Sequence, residues 1–265
     1  MPDQPIAVKL LREVCPTLSV GILTADLLSL GSELALLARA EVKLVHIDVM
    51  DGCFCPMMTV GPPFIKALKT PLFKDAHLMI DEPLEKVADY VAAGADIITI
   101  HPEACSHPHR VLQQMRGLTN ANDPARGIVR GVALNPGTPL EVLEPLMDEL
   151  EMILLLAVNP GWGGQKFIPS TMGRIAKARR LIADSGRDIV LGVDGGITRA
   201  NVAEIAKTGV DPFRIISSAI STPVTSKPSW HRNRVERPVP QPKSIALRPR
   251  TCAWRMACRS CISEI

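Results

Sequence analysis

Apolar runs of strand length alternate with amphipathic stretches about eight times within residues 1–220, and this sequence therefore predicts an α/β fold, a (β/α)8 TIM barrel. Two further observations support that fold. Runs such as IITI and MILLLAV are apolar on both faces, as parallel strands covered by helices must be. His and Asp residues recur at the ends of several runs, where a barrel gathers its polar groups. A doubly wound open sheet is the alternative, but no GxGxxG follows the first run.

Each element has its own signal. After a short leader, Leu18–Thr24 is expected as the first strand, followed by a helical pattern N-capped by Asp26. The second strand runs from Val42 through His46 and Asp48 and breaks at Asp51-Gly52. A short helix, Phe64–Lys69, leads to a third strand, Asp75–Ile80. Pro83–Ala93 is a helix opened by Pro and closed by Gly94. Asp96–Ile100, Gly127–Leu134, Met152–Val158 and Asp188–Val193 are the next strands. Helices over His109–Leu118, Leu140–Leu150, Ser170–Asp184 and Arg199–Lys207 alternate with them, and Phe213–Ser217 is the eighth strand.

No closing helix follows that strand. Residues 221–265 are rich in Pro and Arg and lack periodicity, so we read 1–220 as the barrel domain and 221–265 as a disordered basic tail replacing the last helix. The tail holds nine Lys/Arg against two Asp/Glu, which leaves the body mildly acidic although the whole chain carries +3.

Composition narrows the function. Aromatics are 3% of the chain, too few for single-strand stacking platforms, so no nucleic-acid partner is expected. No apolar run has membrane-spanning length, and the N-terminus lacks a secretory h-region. Seven irregularly spaced cysteines fit a reducing, cytoplasmic setting better than a disulfide framework. Cys53-x-Cys55 lacks a second pair at zinc-ribbon spacing.

His46 and Asp48, two apart on one strand, point to the same side at its C-terminal end. Alone they read equally as a metal-site fragment, an acid/base pair or a buried histidine satisfied by its neighbour. In a barrel they converge with His77 from strand three and Asp194 after strand seven. Two imidazoles and two carboxylates suit one divalent ion: Zn, Fe, Mn or Co. Asn159–Gln165 and Asp194-Gly195-Gly196 are glycine-rich turns on the same face, fitted for close approach of an anion. Ordinary turn glycines are the other reading; beside the ligand set, a phosphorylated substrate is favoured.

HIDVMDG, DAHLMI, TIHPEA, NPGTPL, VNPGWGGQKFIP and VDGGI, in this order over roughly residues 18–220, resemble the ribulose-phosphate 3-epimerase family. The resemblance implies a (β/α)8 isomerase of carbohydrate metabolism that interconverts D-ribulose 5-phosphate and D-xylulose 5-phosphate in the pentose phosphate pathway. It makes His46, Asp48, His77 and Asp194 the metal ligands, and Asp48 and Asp194 the acid/base pair. His77, Gly161, Trp162, Gly163, Gly164, Gly195 and Gly196 would lie along the substrate, with Met50 and Met79 capping the reaction centre. A small sugar phosphate is the implied partner, and a homo-oligomer is compatible with it.

The sequence departs from the family pattern in places. A Pro-Ser pair is usual where Val20-Gly21 stands, so Gly21 lacks a substrate-contacting hydroxyl. FVPN becomes Phe54-Cys55-Pro56-Met57, and a third methionine is replaced by Ala157. The Gly-Ser phosphate pair reads Ser217-Ser218. Two alternatives follow: a 3-epimerase of a related ketohexose 6-phosphate, or a catalytically weak barrel that binds sugar phosphate.

Overall fold

In a computed structural model, the described residues are 6–13, 18–198, 200–208, 210–211 and 215–217, the last three as backbone. The expected tail and Ser218 lie outside them. Eight parallel strands close into a barrel in sequence order: β1 (Ser19–Gly21), β2 (Leu44–Met50), β3 (Phe73–Met79), β4 (Ile97–Ile100), β5 (Val129–Leu134), β6 (Met152–Leu156), β7 (Val190–Asp194) and β8 (Ile215–Ser217). β1 pairs with β2 on one side and β8 on the other, which joins the two ends of the sheet.

Strand parity divides the core in two. Val45, Ile47 and Val49 of β2, with Ala76 and Leu78 of β3 and Ile98 and Ile100 of β4, join the large cluster that packs under the helices. Leu44, Ile97, Val129, Met152, Leu154 and Val190 belong to a separate, smaller cluster that fills the barrel. The alternate positions of the same strands carry His46, Asp48 and His77 one or two steps further along. Apolar layers therefore fill the lower barrel, and the polar groups occupy its C-terminal mouth.

The leader is a correction to the sequence reading. Ile6–Glu13 is a helix, α1, and its Ala7, Val8 and Leu11 are fully buried within the cluster inside the barrel. Those residues form one short stripe at helical spacing, and the helix thus plugs the barrel floor. Arg12 pairs with Asp188 at the edge of β7, and the Ala7 N–H donates to the Arg126 carbonyl.

The outer layer comprises α2 (Leu30–Arg39), α3 (Pro62–Ala67), α4 (Val87–Ala92), α5 (Pro108–Arg116), α6 (Thr171–Ser185) and α7 (Val202–Lys207). Asp26 caps as expected, accepting from the Leu28 N–H at 3.0 Å, but a 3-10 turn, Leu27–Ser29, precedes α2. Leu140–Glu149, expected as an α-helix, is a 3-10 segment with Pro145 inside it. Proline has no N–H for an i→i−4 bond, and its ring crowds the preceding turn.

Two sets of buried charges at the lower end are paired. Arg130 bridges Glu149 and Glu151, and Asp96 accepts from Asn120, Asn122 and Arg126. Removing one partner of such a set leaves an uncompensated charge, at a cost of about 3–5 kcal/mol.

Candidate active site

β2 and β3 run in a register that sets Asp48 beside His77 and His46 beside Asp75. β7 brings in Asp194, paired with Leu156 of β6. One ligand atom from each of His46, Asp48, His77 and Asp194 lies within 4.8 Å of the other three. The four residues expected to converge do so.

Their contacts define which nitrogen each histidine offers. His46 Nδ1 is 3.0 Å from Asp75 Oδ2, an oxygen that also accepts from the Ser19 hydroxyl at 3.0 Å. That leaves His46 Nε2 facing Asp48 Oδ1 at 3.0 Å. His77 is reversed: Nδ1 faces Asp48 Oδ1 at 3.2 Å and Asp194 Oδ2 at 4.0 Å. Its Nε2 lies 2.8 Å from His101 Nε2.

The two carboxylates are driven apart electrically. Burial acts to raise the Asp48 pKa, but His46 and His77 outweigh it and hold the group well below the carboxylate range. Burial, then the neighbouring Asp48 charge, pushes Asp194 up to about 7. Burial acts to lower the His46 pKa; Asp48 and Asp75 outweigh it and raise the group well above its ordinary value. Protons on His46 and Asp194 thus offset crowded negative charge. A divalent cation bound by these four groups would take over that task and release those protons. The donor set therefore fits a transition metal ion on chemistry as well as on spacing.

A cleft opens over this cluster, lined by Asp48, Met50, Met79, Gly161, Trp162, Gly163, Gly164, Asp194, Gly195 and Gly196. All were expected at the site, and Leu156, Val158, Asn159, Pro160 and Gln165 join them. Gln165 braces the loop after β6: its amide donates to the carbonyls of Asn159 at 2.6 Å and Trp162 at 3.0 Å. Gly196 has φ +65°, and a Cβ there would lie 2.3 Å from the Phe167 backbone nitrogen. Only glycine lets the loops after β6 and β7 approach this closely. Gly21 sits in register with His46, outside the residues lining the cleft. Ser217 is described as β8 backbone beside Val20.

The profile of the Ribulose-phosphate 3 epimerase family matches residues 17–221. The chain belongs to that family. It is similar to the ribulose-phosphate 3-epimerase of Escherichia coli (strain K12), with 43% identity over 206 residues, 76% of this chain and 86% of that relative. The Bacillus subtilis (strain 168) enzyme of the same name is 39% identical over 194 residues, 72% of this chain and 86% of that relative. A chloroplastic ribulose-5-phosphate-3-epimerase of Arabidopsis thaliana is 40% identical over 206 residues, 76% of this chain and 70% of that relative. Membership in this epimerase family makes the chain an enzyme of the isomerase class. Among the described residues, no helix of this family member is long and apolar enough to cross a membrane.

The sequence reading did not find the supporting role of several polar groups around the epimerase site. Asp75, Ser19, His101 and Glu103 form the layer behind the ligands. His101 is fully buried, and burial pulls its pKa down to about 4, so it is neutral. Glu103 is held down to about 2: burial works against ionisation, but His101, the Thr138 hydroxyl and the Asn135 N–H outweigh it. Asp75 stands inside a quoted motif, yet nothing in a single strand shows that it reaches the histidine of the neighbouring strand.

Proposed function

We propose that this enzyme interconverts D-ribulose 5-phosphate and D-xylulose 5-phosphate by moving the C3 proton. The convergence of two histidines and two aspartates at the mouth of the barrel carries the reading. His46 through Nε2, His77 through Nδ1, and Asp48 and Asp194 through carboxylate oxygens would hold one divalent ion. When bound, that ion supplies Lewis-acid stabilisation to the charge that develops on the substrate oxygens.

Inversion at C3 needs one group to remove a proton from one face and another to return it on the other. Asp48 and Asp194 come from β2 and β7 and both line the cleft. One takes the C3 proton while the other donates from the opposite side, and the roles exchange in the reverse reaction. Without the ion, the two carboxylates differ in proton affinity, Asp48 being held ionised and Asp194 raised to about 7. Met50 and Met79 offer an apolar, polarisable lining that limits water at the reacting carbon. The glycine loops at 161–164 and 195–196 would follow the substrate towards its phosphate. A cytoplasmic setting belongs to the same reading.

Departures from the family pattern at Gly21 and Ala157, neither among the residues lining the cleft, leave a ketohexose 6-phosphate epimerase as the second reading. Turnover of ribulose 5-phosphate and allulose 6-phosphate by the metal-loaded enzyme separates the two. The expected kcat/KM favours the pentulose by at least tenfold; a preference for the hexose overturns the assignment.

A further inference from the structure

Behind His77 the structure holds a line of groups that the reaction itself does not use. His77 Nε2 meets His101 Nε2 at 2.8 Å; the buried His101 Nδ1 makes no hydrogen bond and lies at ion-pair distance, 3.4 Å, from Glu103 Oε2. The other Glu103 oxygen, Oε1, accepts from the Asn135 N–H at 2.9 Å and from the Thr138 hydroxyl. Arg174 ties the same turn together through the carbonyls of Asn135, Pro136 and Thr138. The carboxylate is thus fixed at one oxygen and aimed at His101 with the other.

Hydrogen-bond polarity makes this line directional. Two facing imidazole nitrogens bond only if one donates and the other accepts. An ionised carboxylate cannot donate, so its charge 3.4 Å away favours a proton over a lone pair on His101 Nδ1. A neutral His101 then presents a bare Nε2, which must accept from His77 Nε2–H. With its proton on Nε2, a neutral His77 keeps a lone pair on Nδ1, the nitrogen that faces Asp48 and Asp194. We propose that Glu103, acting through His101, sets the proton positions that leave His77 Nδ1 free to ligate the divalent ion. Both are positioning residues. The inference rests on the metal-site reading above and extends it to a carboxylate three residues beyond β4.

The substitution Glu103→Gln inverts the line instead of merely cutting it. The amide oxygen must stay where Asn135 and Thr138 donate, so the amide NH2 occupies the place of Oε2 and favours a lone pair on His101 Nδ1. His101 then carries its proton on Nε2, pointing at the Nε2–H of a ligating His77. One of those two arrangements has to break. Zinc affinity of the full chain, measured by competition with a chromogenic chelator, is expected to fall roughly 10–100-fold, the usual effect of losing an outer-shell partner. In the zinc-loaded protein, 15N spectra of the histidine rings are expected to place the His101 proton on Nδ1 in the wild type and on Nε2 in the variant. Thr138→Val serves as the control, since it removes a donor to Oε1 and keeps the carboxylate. It is expected to hold wild-type zinc affinity within about twofold. An equal loss of affinity in Thr138→Val, or wild-type affinity in Glu103→Gln, overturns the relay. So does a proton on His101 Nε2 in the zinc-loaded wild type. A wild-type chain that fails to bind zinc at all overturns the metal reading itself, a result distinct from failure of the Glu103 effect.

Discussion

Asp194→Asn is expected to lower kcat for epimerisation at least about 10³-fold while leaving the barrel folded. The amide matches the carboxylate in shape but neither carries the C3 proton nor offers an anionic ligand, and general acid–base groups alone contribute about 10²–10⁴. Stability is expected to move the other way. Burial and Asp48 raise Asp194 in the folded state to about 7, above its ordinary 3.8. The folded chain therefore binds more protons than the unfolded chain between those values, and this residue's contribution to stability falls as pH rises through that window. The asparagine variant has no such loss. Metal-free Asp194→Asn should melt higher than metal-free wild type at pH 8 and lose that advantage near pH 4. Thermal melts at the two pH values check this, and unchanged turnover would remove Asp194 from the proposed acid/base pair.

Gly196→Ala is the second substitution with a large expected effect. The added Cβ would meet the Phe167 nitrogen at 2.3 Å and its Cα at 2.6 Å, which are backbone atoms and cannot rotate aside. A φ of +65° adds roughly 1–2 kcal/mol for any L-residue. Relief requires the loops after β6 and β7 to separate, so we expect a loss of about 2–4 kcal/mol in denaturant unfolding. KM for the sugar phosphate is expected to rise at least tenfold, because the two proposed phosphate-side loops no longer meet. Gly163→Ala is the contrast: nothing lies within 4 Å of its Cβ position, so stability should change by only about 0.5 kcal/mol. Equal stability of the two variants would show that the close approach at Gly196 carries no weight.

These contrasts also indicate what a sequence can reveal. His46 and Asp48 were legible because a strand places residues i and i+2 on one side, and barrel closure then collects such residues from other strand ends. His77 and Asp194 became ligand candidates by that rule alone. The supporting layer was not legible in the same way. Ser19, Asp75, His101 and Glu103 act across strand pairs, and their contacts depend on register, which no single strand encodes. Gly21 is placed on β1 beside His46, as strand position alone could show. The N-terminal helix escaped because eight residues give barely two turns of periodicity, and only the barrel floor supplies a partner for Ala7, Val8 and Leu11. At Leu140–Glu149 the apolar spacing was read correctly, but Pro145 tightened the turn into a 3-10 segment.

In the proposed reaction Asp48 and Asp194 exchange the C3 proton of a pentulose phosphate across its two faces beside a bound divalent ion. Proton NMR of ribulose 5-phosphate with the metal-loaded wild-type enzyme in D2O tests it most directly. The expected result is xylulose 5-phosphate carrying solvent deuterium at C3, with deuterium also accumulating at C3 of the remaining substrate and at no other carbon. Binding of the sugar phosphate without loss of the C3 proton signal would contradict the claim.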